Sequence, residues 1–572
     1  MKKKFLSIVI IALMWIGILY FAFGSELGTN AMADIHEKYP DNIIDFDDYS
    51  QSDDPIESSR GYVKPESRIF TPPSEESLKL TREKVQAFDC GTIEGATIRE
   101  CQALVALYAS TNGAAWTNNT NWLESKAVGE WYGIRTNYEN IWGLVLNENN
   151  LSGTLPPEIG NLSELDYLAL SKNFISGNLP SELSQLEKLE YLHLDDNLLN
   201  GPILSDIGMM SNLKIIRLNN NLFSGQIPAS LGHLNHAWEL VLCNNKLTGR
   251  IPAELGQVGF LWHLDLSGNQ LSGPVPSELG DIRGLGSLLL SSNQLSGNIP
   301  PELGNLTNLY YLAIADNMLS GSIPAEFVNL SKLGYLFLQN NRLSGTIPAE
   351  IGALTNLITL NLSHNKFEGA LPESFTNLVN LGKYTDLGYN RLNVPQAEPV
   401  QSFLNEKDPD WYLTQAIQTT IPCDLGGEIF LHNNRVEITI PAGACDGELD
   451  VLLTPLGGPS HDYKPMYWGK NSFELSAWNA HGSVTQFLKP LSFTIYYFED
   501  DFNVMPEEEL VVKLFDKDYA VWRDAISTCP DGEYTRNFDE NWLRLPVCHL
   551  TEFGLFNLLE LPFRLYLPIG LK

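Results

Sequence analysis

The hydrophobic positions between residues 141 and 380 repeat with a period of 24 residues. One period, residues 285–307, reads LGSLLLSSNQLSGNIPPELGNLT, with apolar residues at fixed offsets on both sides of Asn293. A fixed period of this length is the sequence signature of a solenoid in which each repeat forms one coil. The asparagine recurs as a column through ten coils: Asn149, Asn173, Asn197, Asn221, Asn245, Asn269, Asn293, Asn317, Asn341 and Asn365.

Each coil is predicted to contain one short parallel strand, because its x-L-x-L run alternates with a period of two. The asparagine amide has both donors and an acceptor, so it is expected to satisfy backbone groups where the strand turns. Gly297, four residues after Asn293, predicts a turn with an unusual backbone angle, and Pro300 fixes φ beyond it. An eleventh coil, LGKYTDLGYNRL, has one extra residue before Asn390 and marks the end of the regular stack.

A carboxylate column follows the proline position by two residues. A proline followed by an acid is typical of the first turn of a short helix, whose open N–H groups favour negative charge. We therefore interpret the column as a series of helix starts rather than as a metal site. Its members are Glu158, Glu182, Asp206, Glu254, Glu278, Glu302, Glu326 and Glu350.

The repeat LxxLxLxxNxLSGxIPxxLGxL resembles the 24-residue, plant-type leucine-rich repeat of extracellular, receptor-like ectodomains. The resemblance implies an α/β repeat solenoid with parallel β-strands on the concave face and short 3-10, helical or irregular segments on the convex side. It covers residues 141–393, as ten regular coils and one irregular coil. Residues 86–140 resemble the amino-terminal cap of such repeats, and Trp116, Trp122 and Trp131 are expected to cover the open end of the solenoid.

The repeat period stops after Pro395, and the chain changes character. Residues 394–420 are predicted to form a connector. Residues 421–560 contain short alternating segments at turn-like spacing, which indicate an antiparallel β-sandwich. The run GGEIFLHNNRVEITIPAGA resembles the start of a ZU5 domain, and residues 561–572 are interpreted as a carboxyl-terminal tail.

The amino terminus predicts export. Three lysines precede an uncharged run in residues 1–25, as in a signal peptide, and an uncleaved membrane anchor is the alternative. Residues 26–85 are interpreted as an acidic, disordered linker. The net charge of −32 argues against nucleic acid or an anionic membrane surface as a partner. We therefore predict a secreted or cell-surface protein whose only membrane contact would be the amino-terminal segment.

The cysteines fit an exported protein, because disulfides persist in oxidising compartments. Six of the seven occur as close pairs, and proximity is the only guide to their connectivity. Cys243 is left over and is interpreted as a surface position in a coil. The disulfide candidates are Cys90 with Cys101, Cys423 with Cys445, and Cys529 with Cys548.

Residues that flank the core leucines are expected to point outward on the concave side. Aromatic side chains with a polar tip provide a large contact area and suit a face that binds a protein, peptide or glycan. The alternative is that these residues only pack on their neighbours. The predicted ligand-binding residues are Tyr167, Tyr191, His193, Arg217, Trp238, Glu239, Trp262, His263, Asp265, Tyr310, Tyr311, Tyr335 and Phe337.

The run CHLTEFGLF resembles the self-cleaving motif of adhesion-receptor autoproteolysis domains. The resemblance implies that His549 takes the proton of the Thr551 hydroxyl, which attacks the Leu550 carbonyl to form an ester that water opens. The alternative is that His549 and Thr551 only close the last pair of strands.

The sequence contains no HExxH, GxSxG, Walker or paired-cysteine zinc motif, so we predict neither enzymatic activity nor a cofactor or metal. The predicted function is that of an exported, non-enzymatic recognition protein that binds a partner through the concave face of its repeats. One alternative is a surface protein whose carboxyl-terminal domain cleaves itself between Leu550 and Thr551. The other is a structural spacer of the cell envelope. The oligomeric state is left open.

Overall fold

The computed structural model describes most of the chain from residue 72 to residue 557. The described residues are 72–137, 140–382, 384–394, 396–409, 411–430 and 436–444, with strands at 448–456, 468–479, 482–483, 486–496, 510–516, 521–524, 535–537, 542–549 and 552–557. The predicted export signal or anchor, the acidic stretch before residue 72 and the tail 561–572 lie outside these residues. Within them, no helix is long and apolar enough to span a membrane.

The described residues form two compact units. The first contains the amino-terminal cap and most of the coils. The second contains parts of the last coils, the segment that follows them and the antiparallel strands.

The amino-terminal cap begins with helix α1 (Glu75–Ala87), followed by helix α2 (Ile98–Ser110). Helix α1 lies within the segment that the sequence assigned to a disordered linker, so that assignment is wrong for its last residues. The helix forms because Ser74 caps its first turn, and it is fixed because the Thr81 hydroxyl accepts the Ala114 N–H at 3.1 Å. Because α1 contains many charged residues, its sequence shows no clear helical pattern of apolar positions.

Aromatic side chains fill the cap as predicted. Trp116, Trp122 and Trp131 are buried with Tyr108, and the ring centroids of Trp116 and Trp122 lie 4.8 Å apart. Each indole N–H donates to a backbone carbonyl at 2.9–3.0 Å. These rings therefore cover the open end of the first coil without leaving their polar atoms unpaired.

A disulfide also ties the cap together. Cys90 and Cys101 are bonded, which confirms the first predicted pair. Helix α2 carries Cys101 and begins with a capping box formed by Thr97 and Glu100. The same Glu100 carboxylate accepts the Ile141 N–H at 3.0 Å, so the cap is hydrogen-bonded directly to the first coil.

The coils contain twenty-two short strands. In chain order they are β1 (Ile134–Asn137), β2 (Asn140–Val145), β3 (Ser152–Thr154), β4 (Tyr167–Ala169), β5 (Phe174–Gly177), β6 (Tyr191–His193), β7 (Leu198–Gly201), β8 (Ile215–Arg217), β9 (Leu222–Gln226), β10 (Glu239–Val241), β11 (Lys246–Gly249), β12 (His263–Asp265), β13 (Gln270–Gly273), β14 (Ser287–Leu289), β15 (Gln294–Asn298), β16 (Tyr311–Ala313), β17 (Met318–Gly321), β18 (Tyr335–Phe337), β19 (Arg342–Gly345), β20 (Thr359–Asn361), β21 (Lys366–Gly369) and β22 (Arg391–Leu392).

The first sheet has the order β1-β2-β4-β6-β8-β10-β12-β14-β16-β18-β20. Strand β1 is antiparallel to β2, whereas β2 is parallel to β4 and β12 is parallel to both β10 and β14. Leu240, Leu264 and Leu288 are in register in three neighbouring strands and are almost fully buried. The prediction of one parallel strand per coil with a leucine core is confirmed.

A second sheet, with the order β22-β21-β19-β17-β15-β13-β11-β9-β7-β5-β3, was not predicted. Its strands are also parallel and consist mainly of x-L-S-G, as in β13. The sequence does not reveal them because serine and glycine are typical of turns and the alternation lasts only two residues. The glycines have the predicted unusual angle, for example a φ of 82° at Gly297.

From Asn173 onward, the asparagines of the column hydrogen-bond to the backbone of their own coil and of the coil before it, whereas Asn149 bonds to the backbone of Asn118 in the cap. The Asn269 amide donates to the carbonyls of Leu242, Leu266 and Ser267 at 3.1–3.2 Å. Its Oδ1 accepts the Leu247 N–H at 3.0 Å. The predicted role of the asparagines is confirmed, and we call this series the asparagine ladder.

The residue before each ladder asparagine is left-handed, which the sequence analysis missed. Non-glycine residues occupy this position in ten coils with φ between 53° and 57°. Such a conformation is costly for most side chains, so the neighbouring hydrogen bonds must enforce it. These residues are Glu148, Lys172, Asp196, Asn220, Asn244, Ser292, Asp316, Asn340, His364 and Tyr389.

Short 3-10 helices occupy the opposite side of the coils. The predicted acid lies in the first turn of each helix that carries one, which supports its interpretation as a helix start. The helices are Pro157–Asn161, Ser181–Gln185, Ser205–Met209, Ala229–His233, Ala253–Gln257, Ser277–Asp281, Pro301–Asn305, Ala325–Asn329, Ala349–Ala353 and Glu373–Asn377.

The segment after the last coil is a closing cap rather than the predicted connector. Helix α3 (Val400–Lys407) places Phe403 against Phe375, with ring centroids 6.1 Å apart. Gln415 is fully buried and takes the place of a further ladder asparagine: its Oε1 accepts the Leu392 N–H at 3.0 Å, and its Nε2 donates to Leu387 O at 3.1 Å. The extra methylene of glutamine lets a residue outside the 24-residue period make these bonds.

The remaining strands form two antiparallel sheets. In chain order they are β23 (Ile417–Pro422), β24 (Gly427–Phe430), β25 (Val436–Ile440), β26 (Glu448–Leu456), β27 (Trp468–Asn479), β28 (Gly482–Ser483), β29 (Gln486–Tyr496), β30 (Leu510–Asp516), β31 (Val521–Asp524), β32 (Thr535–Asn537), β33 (Trp542–His549) and β34 (Glu552–Asn557). One sheet has the order β23-β26-β27-β34-β30-β31, with β28 paired to β27, and the other β24-β25-β29-β33-β32.

Strand β23 begins four residues before the predicted domain boundary at residue 421, so that boundary is placed too late. The β-sandwich and the ZU5 resemblance remain predictions. Cys423 is in a disulfide, and its predicted partner Cys445 lies outside the described residues, as does Cys529.

Candidate ligand-binding face

The side of the first sheet opposite the leucine core is called the strand face. It is formed by the residues on either side of the central leucine of each strand and by the residues just before and after the strand. All thirteen predicted ligand-binding residues lie on it. Register pairs such as Tyr311 with Tyr335 and His193 with Arg217 place equivalent positions of neighbouring coils side by side.

Six of the thirteen are buried, which corrects the expectation that all of them point outward into solvent. They are Tyr167, Tyr191, His193, His263, Asp265 and Phe337. Their neighbours in adjacent coils cover them, because equivalent side chains stack along the sheet. The other seven, which are Arg217, Trp238, Glu239, Trp262, Tyr310, Tyr311 and Tyr335, are partly exposed. Their contact with a ligand stays a prediction.

The amino-terminal part of the strand face is aromatic. Tyr167 and Tyr191 have ring centroids 5.4 Å apart and form a buried cluster with Ala169 and Ile215. Trp238 packs against this cluster while remaining partly exposed. Burial raises the pKa of Tyr167 far above its usual value, so this side chain is a neutral phenol at every physiological pH.

A polar centre follows, defined as His193, Asp195, Arg217, Glu239, His263 and Asp265. Its charged groups are paired or hydrogen-bonded. Arg217 Nε lies 2.6 Å from Glu239 Oε1, and its Nη2 lies 3.4 Å from Oε2. Asp195 accepts the Ser171 hydroxyl at 2.6 Å, and Asp265 accepts the N–H and hydroxyl of Ser267.

Burial dominates the titration of the polar centre. It lowers the pKa of His193 well below its usual value, and the charge of Arg217 acts in the same direction. Burial also lowers the pKa of His263, although Glu239 and Asp265 oppose this shift. Both imidazoles are therefore neutral at pH 7. The pKa of Asp195 is raised by burial to about 6, against the effect of its bond from Ser171.

The polar atoms that are buried here without a hydrogen-bond partner among the described residues include Nε2 of His193, which is 5% exposed, and Nε1 of Trp238. A buried polar group without a partner costs about 1–3 kcal/mol. Such atoms in a folded protein suit occupation by a ligand or water.

The carboxyl-terminal part of the strand face is aromatic again. Tyr311 and Tyr335 stack with centroids 5.3 Å apart, and Tyr310 meets Tyr335 edge-on at 5.4 Å. Tyr310 lies over Gly334, where an added Cβ would be 2.7 Å from the ring. These aromatic residues are among those predicted from the sequence, whereas the glycine that makes room for the Tyr310 ring is not.

Cys243 lies on the strand face beside the polar centre. Its thiol is buried and is not part of a disulfide, which corrects its interpretation as a surface position. Burial raises its pKa well above the usual value, and neighbouring Asp265 adds to the shift. The thiol is therefore protonated and a poor nucleophile.

The family model described as Leucine Rich Repeat matches six segments of the sequence. They are residues 140–162, 212–234, 260–282, 284–306, 332–354 and 356–378. The chain carries leucine-rich repeats. Each matched segment contains one strand of the first sheet and the 3-10 helix that follows it, so the leucine-rich repeats are the units that build the strand face. Among curated proteins, none matches the sequence.

Solved structures with leucine-rich repeats resemble parts of the chain. A plant peptide hormone receptor, RGFR1 in complex with RGF2, is 39% identical over 42% of this chain and 39% of its own, with a TM-score of 0.42. The ectodomain of the Arabidopsis thaliana receptor kinase GASSHO1/SCHENGEN3, in complex with CASPARIAN STRIP INTEGRITY FACTOR 2, is 35% identical over 52% of this chain and 35% of its own, with a TM-score of 0.47. The chain thus spans little more than a third of the length of either receptor.

A plant ice-binding protein also resembles the repeats. It is 28% identical over 49% of this chain and 90% of its own, with a TM-score of 0.44.

The residues of the predicted self-cleavage motif are only partly described. His549 is the last residue of β33, whereas Leu550 and Thr551 lie outside the described residues. The part of the chain that the structure describes contains no group of three histidine, cysteine or acidic side chains able to hold a metal ion.

Proposed function

We propose that this is an exported, non-enzymatic recognition protein that binds a protein, peptide or glycan through the strand face of its leucine-rich repeats. The observation that carries the proposal is a contrast between two sets of positions. The leucines and ladder asparagines are the same from coil to coil because they build the scaffold. The strand-face positions vary among the coils and collect aromatic and paired polar side chains, as at Trp238, Trp262 and Tyr311. A role in the scaffold alone does not explain why these residue types occupy the strand-face positions.

Export to the cell surface or beyond is part of the same proposal. The Cys90–Cys101 disulfide supports it, because such bonds persist in oxidising compartments. The net charge of −32 supports a partner other than nucleic acid or an anionic membrane.

A capture experiment tests the proposal. The full chain and a strand-face variant with Trp262→Ala, Tyr311→Ala and Tyr335→Ala are each exposed to the extracellular material of the source. The matched control is the double variant Met209→Ala and Phe260→Ala, which removes two highly exposed apolar side chains away from the strand face. Loss of the captured partner with the strand-face variant alone supports the proposal. Equal capture by all three proteins contradicts it and favours the structural spacer.

Self-cleavage is a second candidate function, supported by the position of the motif between two strands. Strand β33 ends at His549 in one antiparallel sheet, and β34 begins at Glu552 in the other. The bond between Leu550 and Thr551 would therefore lie where the chain passes from one sheet to the other. Strand β34 pairs with β27 on one side and β30 on the other, so these bonds would hold the released fragment.

Denaturing mass spectrometry tests this second candidate. Attack of the Thr551 hydroxyl on the Leu550 carbonyl would free the Thr551 amine, and water would then open the ester to give a new carboxylate at Leu550. Two fragments from the wild type and one intact chain from Thr551→Ala are expected. An intact mass for the wild type would show that the motif does not cleave.

A further inference from the structure

We propose that the partner of the strand face is an uncharged β-linked glycan whose chain runs across the strands. This inference rests on the proposed function and names the ligand class of the same site. Three observations carry it: the spacing of the exposed aromatic rings, the pairing of the nearby charges, and the unpartnered polar atoms between them.

The aromatic rings recur along the face at whole multiples of the coil spacing. Trp238, Trp262 and Tyr310 occupy the same position in their coils, with Trp262 one period after Trp238 and Tyr310 two periods after Trp262. Trp262 and Tyr310 each lie over a glycine of the next coil: an added Cβ would be 2.4 Å from the indole at Gly286 and 2.7 Å from the phenol ring at Gly334. One strand spacing is about 4.8 Å and two are roughly 9.6 Å.

This spacing favours a sugar chain over an extended peptide. In an extended peptide, side chains on one side recur every two residues, or about 6.6 Å, which fits neither the one-coil nor the two-coil spacing of these rings. A β-linked pyranose unit advances by nearly one strand spacing, so consecutive sugars would reach Trp238 and Trp262, and the second sugar beyond Trp262 would reach Tyr310. The apolar face of a sugar ring stacks on an aromatic ring while its hydroxyls stay in contact with water or protein.

The charges in and beside the polar centre favour a neutral ligand. Lys214 is 2.8 Å from Glu190 and Arg217 is 2.6 Å from Glu239, so each cation already has a carboxylate partner. A ligand carboxylate would have to displace one of these partners from a partly buried site. The net charge of −32 further disfavours polyanionic glycans.

The unpartnered atoms fit hydroxyl groups. The indole N–H of Trp238 is a donor and requires an acceptor, whereas Nε2 of neutral His193 is a donor or an acceptor depending on the tautomer. A sugar hydroxyl both donates and accepts, so the same chemical group satisfies either atom. The two residues lie two coils apart on the amino-terminal side of Trp262, so one chain crossing the strands would pass them in turn.

Calorimetric titration of the full chain with cellohexaose, chitohexaose and polygalacturonate tests the inference. We expect binding of at least one of the two neutral oligosaccharides and none of the polyanion. Trp262→Ala is expected to weaken that binding about tenfold, the equivalent of one aromatic contact. His193→Phe, which keeps an aromatic ring next to Tyr167 and removes Nε2, is expected to weaken it about three- to tenfold. Phe260→Ala, which removes an exposed ring away from the strand face, is the matched control.

Circular dichroism confirms that each variant is folded, and Gly286→Ala offers a second way to disturb Trp262 without removing it. The outcomes separate the two proposals. If neither neutral oligosaccharide binds while the strand-face variant still loses its captured partner, the glycan inference is wrong and the proposed function stands. If a peptide or protein proves to be that partner, the ligand class is likewise wrong. If a glycan binds equally to Trp262→Ala, His193→Phe and Gly286→Ala, the strand face is not the site and both proposals fail.

Discussion

Trp262 fills the space that a side chain on Gly286 would need. A Cβ atom at Gly286 would lie 2.4 Å from the indole Nε1, closer than real Cβ contacts allow. Gly284, two residues earlier, is different, because the atom nearest to an added Cβ is the Gly259 carbonyl oxygen at 3.5 Å. The position of the Trp262 ring on the strand face therefore depends on a glycine in the next coil.

Gly286→Ala is expected to move the Trp262 ring and leave the fold intact. The ring is partly exposed and can turn away, so the loss in the free energy of unfolding should stay below about 1 kcal/mol. Near-ultraviolet circular dichroism and tryptophan fluorescence should change in Gly286→Ala and remain unchanged in the control Gly284→Ala. Identical spectra for both variants would show that the ring tolerates the methyl group in place.

Asn269→Ala is expected to destabilise the coils by about 2–4 kcal/mol. The substitution leaves the buried Leu247 N–H without its partner and removes one of two donors from each of three carbonyls. Asn308→Ala is the control, because its side chain makes exposed bonds instead: it donates to Arg283 O at 2.9 Å and accepts from Lys332 Nζ at 2.7 Å. Urea denaturation measures both. A loss for Asn269→Ala no larger than that for Asn308→Ala would contradict the structural role of the ladder.

Asp195→Asn is expected to stabilise the protein at neutral pH and to have little effect below pH 4. Burial raises the native pKa of Asp195 from 3.8 to about 6, so the native state binds this proton more tightly than the unfolded chain. The stability that this proton provides is complete below pH 3.8 and is lost as the pH rises through about 6. Asparagine keeps the acceptor for Ser171 and carries no charge to bury.

The advantage of Asp195→Asn over the wild type should therefore grow between pH 4 and pH 7, to at most about 3 kcal/mol. Thermal or urea unfolding across this range measures the difference. Asp206→Asn, the same change on the exposed first turn of a 3-10 helix, is the control for the substitution itself. A pH-independent difference for Asp195→Asn would mean that the buried carboxylate is not the titrating group.

Gln415→Ala is expected to loosen the last coil. Its side chain accepts the Leu392 N–H and donates to Leu387 O, and no side chain in the variant replaces these bonds. Hydrogen exchange at the Leu392 amide should accelerate roughly tenfold or more. The control Asn405→Ala removes an exposed amide that bonds only to Gln401 among the described residues, and it should leave this exchange rate unchanged.

The scaffold could be predicted from the sequence wherever one residue type performs the same task in every coil. Leu288 and Asn293 recur at fixed offsets, and the structure uses them as expected. The left-handed position could not be predicted, because residues as different as Lys172 and Tyr389 occupy it and the backbone rather than the side chain determines it. Gln415 could not be predicted for the opposite reason. It makes the hydrogen bonds of a ladder asparagine with a different side chain, and it lies outside the 24-residue period.

The strand face could be predicted only in part. Alternation assigns Tyr167 and Trp262 to the same side of the sheet, which is correct. Whether such a residue is exposed depends on side chains 24 residues away in each direction, and periodicity does not give their packing. Tyr167 is buried against Tyr191, whereas Trp262 remains partly exposed because Gly286 offers no side chain to cover it.

Because the ladder asparagines are equivalent, the length of the strand face can change in steps of one 24-residue coil. If residues 269–292 were removed, Gly268 would be joined to Asn293. The Asn293 amide would then meet the same carbonyls of Leu242, Leu266 and Ser267 that Asn269 meets now. Duplication of one period has the corresponding result, because every inserted amide finds its partners in the coil before it. Gene rearrangements in steps of 24 codons can therefore lengthen or shorten the strand face while the fold persists.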